Sequence, residues 1–321
     1  MDRQEFIKAL YRLALAREAD AAGLSAWLEL IETTSDPTRV LEGILASEEY
    51  QKRHGSLVKW DDAVTTQIIS TLGNHEYLIV DVGAQILEND KHIYAPIAES
   101  ALIHRIIGFE PLADRLNERI NREGWGRLVM LPNAIGDGAA ATFYVNDFDA
   151  TSSLYPLNRK LCADFTGLSL LRTVDSLGVE TVTLDAVLER EDAELVDFLK
   201  LDIQGAELKA LQGAEETLKR AAVVHCEVEF SPIYEGQPLF PEIQRFLNER
   251  GFELIDLIIQ HRYSYEVSSG NTSPDRLLWA DAVFFKQDLS AIGMLSQALT
   301  ASLVYNKTTL AEYLLAKTTG A

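Results

Sequence analysis

Along residues 1–55 the apolar positions recur every three or four residues, the spacing of one face of a helix. Phe6, Leu10 and Leu13 form one line, with Ile7, Tyr11 and Ala14 one step round. After a break at 17–20 come Gly23-Leu24, and then Trp27, Leu28 and Ile31 on one face. Asp36-Pro37 reads as a helix start, an aspartate cap followed by a proline in the first turn. Val40, Leu41, Ile44 and Leu45 carry the next stripe, and Ser47-Glu48-Glu49 looks like another capped start. The pattern predicts a small all-α module of amphipathic helices that pack together or onto a larger body. Gly23 and Trp27 are expected in turn and core roles.

A linking helix is predicted over 59–72, inside a connecting stretch of 56–75. Beyond it the pattern changes to short, largely apolar runs of buried-strand type. These lie at 77–80, 105–109, 128–131, 196–201, 223–228, 252–255 and 282–285. Helical stretches at 115–123, 206–219 and 241–250 separate several of them. Two more runs, 141–145 and 179–183, look like added strands outside the central order. Alternating strands and helices imply an α/β domain with a doubly wound, mostly parallel sheet. The last thirty or so residues read as two further helices, with Met294, Ala298, Leu303, Leu310 and Leu314 apolar.

Composition narrows the class of partner. The 321 residues carry 29 Lys and Arg against 49 Asp and Glu, a formal net charge of −20. Phosphate neutralisation needs a basic face, so nucleic acid is not an expected partner. Cys162 and Cys226 are far apart and lack neighbouring ligand residues, which argues against a disulfide framework or a zinc site. No run approaches the length of a membrane span, and the N-terminus lacks an apolar signal core. A soluble cytoplasmic protein is expected.

In open α/β sheets ligands bind beyond the carboxyl ends of the strands, where strand order reverses. The residues at those ends are Asp81-Val82-Gly83-Ala84, Glu110-Pro111, Asn133-Ala134, Asp202 through Glu207, and Glu227 to Glu229. Carboxylates or amides close five strands in succession. A dinucleotide needs a glycine-rich phosphate cradle, but Gly83 is followed by Ala84, Gln85, Ile86 and Leu87. S-adenosylmethionine carries no phosphate, and its sulfonium and ammonium suit an acid-lined crevice. Glu110 is expected to accept both ribose hydroxyls, with Asn133 and its neighbours at the adenine edge.

The motifs "VDVGAQ" from Val80, "IGFEPL" from Ile107, "NAIGD" from Asn133 and "DFLKLDIQGAELKALQGAEETL" from Asp197 resemble the FkbM-type class I methyltransferases. "EVEFSPIYEGQPLFPEIQRFLNERGFEL" from Glu227 and "LLWADAVFFK" from Leu277 extend the likeness over about 76–288. It implies a Rossmann-like seven-strand sheet with an antiparallel last strand, S-adenosylmethionine as donor, and a hydroxyl acceptor. Three positions depart from the family pattern. Gln85 and Leu87 stand where Asn and Gly are common, and Gln204 stands where Glu is common. "LYRLALAREADAAGLSAWL" and "VLEGILASEEY" resemble a helical module of unknown function, distantly like phycobilisome-linker modules.

The expected organisation is a helical module (1–55), a linking helix (56–75), a methyltransferase domain (76–288) and C-terminal helices (289–321). The expected donor-binding residues are Asp81, Gly83, Ala84, Glu110, Pro111, Asn133, Ala134 and Asp202. Asp202 is the first candidate for a base that takes the acceptor's proton, with Glu207 and Glu229 next, then Glu227 and His225. The stretch around Ser152 and Ser153 resembles a family loop near the acceptor, and Tyr234 and Gln237 are candidates to touch substrate. No metal is expected. The acceptor is expected to be a sugar, glycan or other small molecule, and the N-terminal module a possible contact for a protein partner or a second copy. Two alternatives stand beside an O-methyltransferase: a catalytically lapsed fold serving as an interaction module, and, more distantly, a nicotinamide-dependent dehydrogenase.

Overall fold

In the computed structural model the chain forms two compact units, Met1–Asp62 and Ala63–Ala321. Residues 3–15, 17–34, 38–45, 47, 62–86, 91–100, 102–123, 127–189 and 194–319 are described. The expected helix start at Asp36-Pro37, the Glu48-Glu49 pair, positions 59–61 of the linking helix and Leu87 lie outside them.

The first unit holds α1 (Arg3–Leu15), α2 (Ala21–Thr34) and α3 (Thr38–Leu45). Ile7, Tyr11, Ile31, Val40 and Ile44 form its core, drawn from the predicted stripes of all three helices. Trp27 packs against this cluster and donates its indole N–H to the Tyr11 hydroxyl at 3.0 Å. Gly43 has no side chain because a Cβ there would overlap the Trp27 ring. The module thus closes its own small core.

The second unit begins with α4 (Asp62–Leu72). Its sheet contains β1 (Tyr77–Val82), β2 (His104–Phe109), β3 (Leu128–Leu131), β6 (Val196–Leu201), β7 (Ala221–Glu229), β8 (Phe252–Tyr263) and β9 (Arg276–Lys286). Their order is β3-β2-β1-β6-β7-β9-β8. The ladders β3–β2, β2–β1, β1–β6 and β6–β7 are parallel, whereas β9 runs antiparallel to both β7 and β8. This is the doubly wound seven-strand sheet with a reversed last strand that the motifs implied.

Period-two alternation sends one set of side chains to each face of the sheet. Val80, Val82, Phe109, Leu199, Leu201 and Val228 pack under α8 (Leu184–Leu188), α9 (Glu207–Gln212), α10 (Glu215–Lys219) and α11 (Phe240–Asn248). Tyr77, Ile79, Phe198, Val223, Val283 and Phe285 pack under α4, α12 (Ala291–Leu303) and α13 (Thr308–Thr319). Polar groups knit α12 to the sheet: Gln297 Nε2 donates to the carbonyls of Ala222 and Lys286 at 2.9 and 2.8 Å. The remaining helices are α5 (Ala95–Ala98), α6 (Ala113–Glu123) and α7 (Arg159–Cys162).

Three expectations change. The run 179–183 is not the second added strand; β4 (Ala140–Asn146) pairs with β5 (Thr173–Glu180) in a separate two-stranded ribbon. β5 is exposed along nearly all its length, so no apolar run marks it. Val182 instead bridges Ile135, and Thr183 caps α8 by accepting the Ala186 N–H. The helix expected over 206–219 breaks into α9 and α10, because a Cβ on Gly213 would overlap the Gly136 carbonyl oxygen. Finally, among the described residues the next helix after β1 is the single turn α5.

What anchors the C-terminal tip of β1 is a buried ionic hub. Asp81 Oδ2 accepts from Arg119 Nη1 at 2.7 Å and from the Tyr94 hydroxyl at 2.5 Å. Arg119 also donates to the Tyr94 hydroxyl oxygen and, at 2.8 Å, to the carbonyl of Ala84. Lys200 on β6 lies 3.4 Å from Asp81 Oδ1 and 3.2 Å from Asp202 Oδ2, tying the two strand tips together. Both Asp81 and Arg119 are fully buried, so removing Arg119 takes away the closest cation of Asp81 and leaves its buried charge to the more distant Lys200. Arg119→Ala is therefore expected to lower unfolding free energy by about 3–5 kcal/mol. Urea denaturation should show it, and the double variant Asp81→Asn with Arg119→Met should lose less than the two single losses added.

Candidate active site

The order of the sheet reverses between β1 and β6, and a cleft of about 520 Å³ opens beyond the ends of those strands. It runs from Gly83, Glu110 and Asn133 at one side to Tyr263, Trp279 and Asp281 at the other. Loops from the β4–β5 ribbon and the stretch around Tyr234 wall it in.

The turn after β1 is fixed by a close approach. Gly83 has φ +79°, and a Cβ on it would overlap the carbonyl oxygen of Asp202. Only glycine serves here. The N–H groups of Gly83 and Ala84 both donate to the Phe109 carbonyl, at 3.1 and 2.9 Å. They are thus spent within the sheet and cannot cradle a pyrophosphate, which counts against the dehydrogenase alternative. Gln85 lines the cleft but does not plug it, since its amide reaches Asp149 Oδ1 at 3.3 Å. Asp149 is in turn paired with Arg115.

Glu110 continues β2, its N–H bonded to the Leu131 carbonyl, and its Oε1 accepts the Leu112 N–H at 2.8 Å. It lines the cleft yet is only 5% exposed. Burial pushes its carboxyl up to about 7, the Leu112 N–H opposing and the charges of Asp149 and Asp81 adding to the rise.

After β6 the chain turns tightly through Gln204 (φ +57°) and Gly205 (φ +92°). Glu207 closes the turn, its Oε1 accepting the Ile203 N–H at 2.8 Å. Gln204 faces the cleft and donates its amide to Glu227 at 2.8 Å and to Asp202 at 3.2 Å. Its carbonyl oxygen lies 2.8 Å from the Tyr234 hydroxyl. Burial drives the carboxyls of Glu227 and Glu229 well above their ordinary range; for Glu227, Asp202 and Glu229 add to the effect, and for Glu229, Glu207 does.

Of the expected residues, Gly83, Glu110, Pro111, Asn133, Ala134, Asp202, Glu229, Ser152 and Tyr234 come together around the cleft. Six do not line it. Asp81 is enclosed by Arg119, Tyr94 and Lys200, and Ala84 is buried beneath the turn. Glu207 is buried behind the β6 loop. Ser153 Oγ donates to the Gln204 carbonyl at 2.6 Å, and Gln237 Oε1 accepts the Tyr234 N–H at 2.5 Å, so both brace the wall. His225 is a core residue between the Tyr305 hydroxyl (3.1 Å) and Asp281 (3.2 Å). Sequence reasoning missed Asp281, His261 and Trp279. Among the described residues no cluster of His, Cys, Asp and Glu has the form of a metal site.

A family model described as the methyltransferase FkbM domain matches residues 81–254, more than half of the chain. The chain belongs to the FkbM methyltransferase family. It is an S-adenosylmethionine-dependent methyltransferase. A second model, a domain of unknown function (DUF4214), matches residues 1–54. Among curated proteins the chain is similar to 2-O-methyltransferase NoeI of Sinorhizobium fredii, 26% identical over 181 residues. That match covers 54% of this chain and 72% of the relative. A TehB-like SAM-dependent methyltransferase from Corynebacterium glutamicum is 12% identical with a TM-score of 0.31, covering 78% of this chain and all of that one. Precorrin-6y C5,15-methyltransferase from Geobacter metallireducens is 9% identical with a TM-score of 0.33, covering 72% and 92%. Likenesses this faint add no weight to the assignment. No described helix is long and apolar enough to cross a membrane.

The raised carboxyls have a consequence for stability. A buried acid titrating near 7 in the fold and near 4.5 in the open chain stabilises the fold fully below about pH 4.5. That contribution is lost as pH rises through about 7. Asp81 has the opposite sign, but its carboxyl is held so low by Lys200 and Arg119, against burial, that it is constant near neutrality. The ligand-free FkbM-family chain is therefore expected to melt at a lower temperature at about pH 8 than at about pH 5. Scanning fluorimetry should show a shallower slope for Glu207→Gln.

Proposed function

We propose that this chain transfers a methyl group from S-adenosylmethionine to a hydroxyl of a sugar, glycan or other small-molecule acceptor. One observation carries the reading: a cleft at the sheet's reversal point has a glycine-only turn, a nearly buried Glu110 and several further carboxylates along one wall. The residues fit the donor. Gly83 admits the Asp202 carbonyl and so lets the tips of β1 and β6 close together at the cleft, and Glu110 presents carboxylate oxygens to a ribose diol. Asn133, Ala134 and Pro111 flank the place of a flat base. Asp202, with one oxygen near Lys200 and the other near Gln204, offers negative charge to an ammonium group. The ties on both of its oxygens suit it better to that role than to taking a proton.

Bound there, the donor supplies an electrophilic methyl group. The protein's task is alignment, for which effective molarity is worth roughly 7–11 kcal/mol. Tyr234 and Ser152 face the space left for the acceptor, with Ser153 and Gln237 holding the loops that carry them. Glu227 and Glu229, whose carboxyls burial raises above their ordinary range, line the acceptor side of the cleft. The similarity to a 2-O-methyltransferase favours an oxygen nucleophile. The same reading assigns catalysis to 76–288, buttressing to 289–321, and recruitment of a partner or second copy to the helical module of 1–55.

Calorimetry with S-adenosylhomocysteine tests the cleft. Glu110→Ala is expected to weaken binding about 10- to 100-fold, the worth of a charge-assisted bond. Unchanged affinity would remove Glu110 from the donor site and the reading with it.

A further inference from the structure

Beyond the donor end, β8 and β9 extend past their neighbours as a ribbon that floors the far side of the cleft. Ile258 faces Asp281 in the β8–β9 ladder, and a regular ladder would next place Gln260 opposite Trp279. It does not: the register shifts, and His261 stands opposite Trp279 instead. The extra residue is accommodated at Ile259, a β-branched residue with φ +46°, a conformation such side chains rarely adopt. A bulge of this kind re-aims the side chain that follows it. Here it exchanges an amide for an imidazole at the floor of the cleft.

The imidazole is held by stacking. Its ring lies 3.5 Å, centroid to centroid, from that of Trp279, nearly parallel at 10°. Its nitrogens hydrogen-bond to none of the other described residues, and both His261 and Trp279 line the cleft. The groups facing this corner are Tyr263 on the same strand, Asp281 on β9, and Glu227 and Glu229 on β7.

We propose that His261 is the residue that takes the acceptor's proton during methyl transfer. The inference rests on the reading of the cleft as the transfer site. The other cleft groups are poorly suited. Glu227 already accepts the Gln204 amide, burial raises the carboxyls of Glu227 and Glu229 above their ordinary range, and both oxygens of Asp202 are engaged. Burial lowers the His261 imidazole below its ordinary value, with Asp281 opposing, so it is neutral and has a free lone pair at pH 7. In the step, the acceptor oxygen bonds to the methyl carbon as the carbon–sulfur bond of the sulfonium breaks. The hydroxyl proton passes to the imidazole, the departing sulfur becomes a neutral thioether, and the imidazolium later yields its proton to water. Asp281 lies on the adjacent strand to favour the transient positive charge, and Trp279 is a positioning residue.

The test uses the full chain. Wild type and His261→Gln are incubated with S-adenosyl[methyl-³H]methionine and a panel of methyl glycopyranosides, and S-adenosylhomocysteine affinity is measured separately. His261→Gln is expected to bind within twofold of wild type, to transfer methyl about 10²–10⁴-fold more slowly, and to lose the acid limb of the pH–rate profile. A variant with wild-type rate and an unchanged acid limb overturns the proposal. In parallel, ¹H–¹³C spectra of labelled histidines, assigned with the same variant, follow the imidazole through pH. It should titrate below about 6.5, and lower still in Asp281→Asn. If no glycoside is methylated, that titration decides: an imidazole still protonated at pH 7 overturns the proposal, and a neutral one sustains it. Failure of wild type to bind S-adenosylhomocysteine would instead sink the reading of the cleft, a separate outcome.

Discussion

The site depends on two strand tips being held closer than a side chain would permit. Asp202's carbonyl occupies the space above Gly83, and Lys200 bridges Asp81 and Asp202 from below. Arg119 and Tyr94 complete the enclosure of Asp81, and Arg119 also fixes the Ala84 carbonyl. Buried ion pairs contribute little net stability against well-packed apolar residues. Their value here is geometric. They set the mouth of the cleft with groups that never touch its contents.

This separates two kinds of acid at the strand ends. Asp81 is neutralised by two cations and stays charged inside the fold. Glu110, Glu227 and Glu229 show no such contact with a cation, and burial raises all three carboxyls, that of Glu110 to about 7. A cationic ligand would shift that balance toward the ionised forms, so part of the binding energy is spent on releasing protons. The cleft is acidic in composition but not uniformly anionic in charge.

Much of this architecture was legible in the chain. Largely apolar runs flag strands covered on both faces, and the parallel centre of the sheet is of that kind. The glycine at 83 and the acid at 110 were visible as strand-end residues, because topology alone puts such ends together. The β8–β9 ribbon was half hidden. The apolar runs at 252–255 and 282–285 fall within strands of 12 and 11 residues whose outer halves are mixed in polarity. His261 escaped notice since its place depends on a bulge, and a one-residue slip changes which side chain faces inward. Arg119 escaped for another reason: its partner Asp81 lies 38 positions away, and an arginine on an amphipathic helix ordinarily faces water.

Gln204 departs from the family's usual glutamate, and its surroundings give the departure a meaning. Its amide nitrogen sits between the carboxyls of Asp202 and Glu227 while its oxygen meets the Tyr234 hydroxyl. A carboxylate could satisfy the tyrosine but would have nothing to offer two acids. The side chain is therefore polarised like a small battery, donor end toward the acids and acceptor end toward the phenol, and it insulates one carboxyl from the next. In relatives with glutamate at this position, the same corner must carry an extra proton or admit a counter-ion, so the two versions of the fold should differ in how many protons they trap when empty.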